Sequence, residues 1–251
     1  MRRSFSTVVS VALNSFSENV RNKFFAVFAV FAFAAVYASV LAGVMAVDQE
    51  ARVLTDFGLT LIELIALAYA LFNASSVLLR EAETKTIYLV FSRPVPRWAY
   101  LAGKLAGSLL TSAVMLALMG AMHLLLLRLR GFPPPVDYAW ALAGSLLKLS
   151  VITSLAFFVS LFSTSAVSTL VISGVIWTAG HFAIETRFLA EHSPGVKGGL
   201  LKAAIWLIPN FQLFNVRDSG GTLPLAAFAT AALWTAGAGL AALALLWRKE
   251  F

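Results

Sequence analysis

Apolar residues fill six long stretches of this chain, roughly Phe24–Val47, Phe57–Leu79, Leu101–Leu127, Tyr138–Phe162, Ala166–Ile184 and Leu223–Trp247. A helix needs about 20 mainly apolar residues to cross a hydrocarbon core about 30 Å thick, and every stretch is near or above that length. A soluble domain of 251 residues could not bury six such elements. The pattern therefore predicts an all-α, polytopic membrane protein: one bundle of six transmembrane helices. Ahead of the first stretch, Phe5, Val9, Leu13, Phe16 and Val20 recur at steps of three or four, with Ser6, Ser10, Asn14, Ser17 and Asn19 between them. That spacing predicts an amphipathic helix over residues 1–23, lying in the interface and turning into the first span.

Composition agrees. The chain is 60% hydrophobic and 12% charged, which leaves no room for a separate soluble domain. The net charge of +7 would raise nucleic acid as a partner for a soluble protein; here it reads as basic loops facing anionic headgroups. The absence of cysteine excludes thiolate catalysis, disulfides and Cys-ligated metals. Met1-Arg2-Arg3 is followed by a Ser-rich amphipathic stretch with no apolar run before Phe24, so it does not read as a cleavable signal.

Basic residues orient the bundle. With Met1 in the cytoplasm, Arg2, Arg3, Arg21, Lys23, Arg80, Lys85, Arg93, Arg97, Lys104, Arg248 and Lys249 fall inside. Arg52, Arg128, Arg130, Arg187, Lys197, Lys202 and Arg217 fall outside, four of them in one long segment that weighs less. Both termini are therefore expected inside, in a cytoplasmic (inner) membrane. The prolines at 133–135 stop one helix and make a stiff outer turn. Residues 185–222 form the longest non-spanning segment. There Leu200–Ile208 suits a short interfacial helix ended by Pro209, with Trp206 in the headgroup belt. A lid or an extracytoplasmic docking role stays open for it.

The inner connection between the second and third spans covers residues 80–100. It starts polar at Arg80, Glu81, Glu83, Lys85 and Thr86, turns apolar at Ile87–Phe91, breaks at Ser92-Arg93-Pro94, and restarts at Pro96-Arg97-Trp98. An ordinary positive-inside loop needs only charges; here apolar residues, turn chemistry and both charge signs are ordered along the chain. This order resembles the permease subunits of ATP-binding-cassette transporters of the type-2, exporter-like family, and among them the small permeases similar to that of nitrous-oxide-reductase maturation. Glu81, Glu83, Thr86, Leu89, Phe91, Ser92, Pro94, Val95, Arg97 and Gly103-Lys104 carry the resemblance. Lys85 stands where that family usually has glycine, and Pro96 where it often has serine. The resemblance implies that the segment is a coupling helix seated in a groove of a cytoplasmic ATPase subunit, and that the permease acts as a dimer, here a homodimer. Glu81, Glu83, Lys85, Arg93 and Arg97 would then be exposed polar contacts, and Leu89 and Phe91 part of an apolar anchor. The chain has no Gly-x-x-x-x-Gly-Lys-Ser/Thr, so ATP would be bound and hydrolysed by the partner, with no cofactor, metal or catalytic residue in this chain.

Other polar residues are few. His123, His181 and His192 show no ligand spacing and read as hydrogen-bonded structural residues. Ser163, Thr164, Ser165, Ser168 and Thr169 have no base close in sequence and read as turn and capping chemistry. Glu63 and Lys148 are the ionisable residues well inside spans, where each costs roughly 2.5–3.5 kcal/mol. Both fall in the outer half of the bilayer, as a pair or as separate residues facing water. The preferred reading is a permease subunit. An intramembrane lipid-modifying enzyme or a non-catalytic scaffold are the alternatives, and the clustered acids, bases or histidines that the enzyme would need are absent from the pattern.

Overall fold

The computed structural model of the chain describes residues 2–46, 48–86, 92, 95–193, 195–216 and 221–248. Helix α1 is Arg2–Arg21, α2 Lys23–Met45 and α3 Glu50–Glu83; α4 is Arg97–Leu129, α5 Tyr138–Phe162 and α6 Ala166–His181. Helices α7 (Ala183–His192) and α8 (Val196–Leu207), a 3-10 turn at Gln212–Phe214 and α9 (Leu225–Arg248) complete the described elements, none of them a strand. The near end of the bundle holds α1 and the junctions α3–α4 and α5–α6. The far end holds the junctions α2–α3 and α4–α5, with α7 and α8.

Five of these helices are long and apolar enough to cross a membrane: α2, α3, α4, α5 and α9. Hydropathy predicts the remaining span as Ala166–Ile184, but the structure breaks it. Helix α6 ends at His181, and α7 leaves at 64° to it, so the two make a crossing only as a bent pair. The cause is a contact distant in sequence. Gly180 O accepts a hydrogen bond from Phe211 N at 3.0 Å, and a Cβ at Gly180 would lie 2.4 Å from the Phe211 ring. The chain after α8 thus folds back into the bundle, burying Pro209, Phe211, Phe214 and Val216. Irregular backbone inside a membrane bundle is tolerated where protein surrounds it, and Gly144 of α5 makes the room: a Cβ there would sit 2.3 Å from Phe214 O.

Helix α5 is the centre. In its apolar window 72% of residues are buried, against 17% in α2, and it packs on α3, α4, α6 and α9. Local signals set the ends. Asn22 caps α2 by accepting from Phe24 N (3.1 Å), and Ser165 caps α6 by accepting from Val167 N (3.2 Å).

Helix α1 lies against α4. Cβ atoms added at Gly103 and Gly107 would meet Val11 and Ser15 at 2.6 and 2.7 Å, and Asn19 Nδ2 donates to Thr111 Oγ1 at 3.4 Å. These contacts advance together along both helices, so α1 runs beside α4 in the same direction. The Gly-x-x-x-Gly face of α4 lets the backbones approach closely, as small residues do between membrane helices. Ser15 and Asn19 are buried against α4, while Phe5, Val9 and Leu13 of the apolar stripe stay exposed. The face on α4 is thus mixed, Val11 with Ser15 and Asn19, while Ser6, Ser10, Asn14 and Ser17 of the polar side stay exposed.

Candidate functional site

Glu63 on α3 and Lys148 on α5 lie 2.6 Å apart, Lys148 Nζ donating to Glu63 Oε1. The other carboxylate oxygen accepts from Ser145 Oγ (2.8 Å), one turn before Lys148, and Lys148 donates a second bond to Asn215 Oδ1 (2.6 Å). The Lys148 side chain is 5% exposed and that of Glu63 21%. A buried ion pair is tolerable only when geometry and extra hydrogen bonds offset desolvation, and this one has both. Asn215 comes from the returning strand of chain after α8, so the re-entrant segment is held by the pair it covers. Leu59, Thr60, Glu63, Ser145, Lys148, Trp177, His181, Phe214 and Asn215 line a cavity of about 410 Å³ here. His181 donates Nδ1–H to Trp177 O (3.1 Å) and stacks on Phe211, with ring centroids 5.5 Å apart.

A second polar cluster closes the near end. Tyr100 OH donates to Glu81 Oε2, and Lys104 Nζ pairs with Glu81 Oε1. Glu18 of α1 joins from the other side, 3.4 Å from Lys104 and 3.6 Å from Arg80. The Glu81 side chain is 13% exposed and that of Lys104 6%. The last residues of α3, the first turns of α4 and the end of α1 are thereby tied into one polar knot.

The residues of the segment between α3 and α4 divide accordingly. Glu81 is not the exposed contact that its place in a polar run predicts: Lys104 and Tyr100 hold it inward. Arg97 is likewise half-buried, because its Nη1 donates to Leu246 O (2.7 Å) and Trp247 O (3.1 Å) at the end of α9. Glu83, Lys85 and Thr86 are exposed. Lys85 has φ +57°, the left-handed region, which is why glycine suits that position. Leu89, Phe91, Arg93 and Pro94 lie outside the described residues.

Neither Ser145 nor Asn215 stands out by sequence reasoning. Ser145 had a usable signal, sitting three residues before Lys148 on the same helix face. Asn215 had none, since its neighbours read as loop. Of the histidines, His123 is fully buried, with Nδ1 2.9 Å from Tyr138 OH and Nε2–H directed at Leu54 O (3.3 Å), and His192 caps its own helix at Phe188 O (2.9 Å).

The class these features define is an all-α, multi-pass membrane protein whose buried Lys104 and Lys148 are each held in an ion pair. The sequence model of the ABC-2 family transporter proteins matches residues 50–248, most of the chain, and the chain belongs to that family, as a permease component of an ABC transporter. No curated protein matches it.

Proposed function

We propose that this chain couples ATP hydrolysis by a separate cytoplasmic ABC ATPase subunit to export or conformational signalling across the inner membrane. It works as a homodimer, with both ends of the chain on the ATPase side and ATP held by the partner. One observation carries the reading: Glu81 at the end of α3 is bound to Tyr100 and Lys104 at the start of α4. The connection between them, here called the spur, is clamped at its base, and its Glu83, Lys85 and Thr86 are exposed. By the resemblance to type-2 permeases, Leu89, Phe91, Arg93 and Pro94 complete the surface that enters the ATPase groove. A push on the spur passes through the knot to α1, α3 and α4, and through Arg97 to α9. On this reading α8, with Trp206 87% exposed, belongs to the outer membrane surface.

Affinity purification of the full chain from its native membrane should recover an ATPase subunit. Exchanging the exposed charges, Glu83→Lys with Lys85→Glu, should leave the bundle inserted but lower that recovery about tenfold or more, the effect of about 1.4 kcal/mol of lost complementarity. Undiminished recovery from the exchanged variant overturns the assignment.

A further inference from the structure

The cavity beside Glu63 and Lys148 has a hydrogen-bonding character that can be read atom by atom. Thr60 has spent its proton on Asp56 O (2.7 Å), and Ser145 on Glu63 (2.8 Å). His181 has spent its Nδ1–H on Trp177 O, so in the neutral ring Nε2 offers a lone pair. Each Glu63 oxygen accepts one bond and has capacity for another. Donors face them: the third N–H of Lys148, the amide N–H groups of Asn215 and the indole N–H of Trp177, so the lining suits a group that both donates and accepts. Apolar walls come from Leu59, Phe214 and Val216. Thr60 is exposed and Leu64 is 49% exposed at the rim, so the cavity opens sideways past α3. A volume of about 410 Å³ lies within the range of small-molecule sites.

We propose that this cavity binds the headgroup of a neutral, hydroxyl-rich, single-chain amphiphile, its tail leaving past Leu64. Hydroxyl protons satisfy the unmatched lone pairs of Thr60, Ser145, Glu63 and His181. A quaternary ammonium head has no proton to donate and meets the Lys148 charge. A carboxylate head brings further acceptors and meets Glu63.

The probe is radiolabelled 1-monooctanoylglycerol, added to the full chain in phosphatidylcholine nanodiscs, with octyltrimethylammonium and octanoate as competitors. Binding should be saturable above protein-free discs and should resist both competitors. His181→Phe keeps the ring stack and removes the Nε2 acceptor. Thr60→Phe fills the mouth at a position whose hydroxyl bonds only its own helix. Each should weaken binding about tenfold, the effect of one lost hydrogen bond or of a blocked entrance. The proposal is overturned if the wild type shows no saturable binding, if either charged competitor displaces the probe as well as unlabelled monooctanoylglycerol does, or if both variants bind like wild type.

Discussion

Gly58 lies directly under the ring of His123, so that a Cβ at Gly58 would sit 2.3 Å from His123 Nε2. The imidazole is fully buried and fixed between Tyr138 and Leu54, so it has little room to yield. Gly58→Ala should therefore lower stability in detergent by about 1–3 kcal/mol, the usual cost of overpacking. Adding His123→Ala should recover part of that loss, because the two residues compete for one space. Thermal unfolding of the four proteins checks this; a Gly58→Ala variant as stable as wild type contradicts the packing.

The Glu63–Lys148 pair makes a second thermodynamic prediction. Removing one partner leaves the other buried without its counter-charge, which is worse than removing both. Glu63→Gln and Lys148→Met should each destabilise, and the double variant should fall short of their sum by about 1–3 kcal/mol. Asn215 and Ser145 remain as partial partners in the single variants, which places the expected coupling toward the lower part of that range. A coupling of zero in a double-mutant cycle would mean that the charges act independently.

Lys85 tests the backbone of the spur. Its φ of +57° costs a side-chain-bearing residue roughly 1–2 kcal/mol. Lys85→Gly and Lys85→Val lose the same charge, so Lys85→Gly should retain more ATPase recovery than Lys85→Val, whose branched Cβ opposes the turn. If valine is tolerated as well as glycine, the left-handed turn is not maintained in the assembled transporter.

Orientation can be tested without background labelling, since the chain has no cysteine. Pro134 and Glu83 are exposed at opposite ends of the bundle. Pro134→Cys should react with an impermeant maleimide on intact cells, and Glu83→Cys only after lysis. The reverse pattern would invert the proposed topology. Ala99, close in sequence to the spur, would be a misleading reporter because it is fully buried.

The spans were legible because hydropathy is a property of each residue added along a helix. The break after His181 was not: apolar residues run through Ile184, and the helix stops because Phe211, thirty-one positions later, takes the Gly180 carbonyl. Asn215 was hidden for the same reason, its value arising only when the chain returns to Lys148. The pairing of Glu63 with Lys148 was half legible, because two opposite charges at similar depth call for each other. Glu81 misled. A carboxylate in a run of polar residues looks like surface, and nothing nearby says that Lys104 and Tyr100, a spur's length away, will enclose it. The glycine-lined approach of α1 to α4 was written in Gly103 and Gly107, but the helix that fills it carries no matching mark.

Arg97 and the carbonyls of Leu246 and Trp247 are about 150 positions apart in synthesis as well as in sequence. A ribosome adds about 5–20 residues each second, so these two hydrogen bonds can form only on the order of ten seconds or more after Arg97 is made. The tie between α4 and α9 is thus timed by translation: it can form only once residues 246 and 247 have left the ribosome, after every residue of the knot around Glu81 and Lys104 has been made.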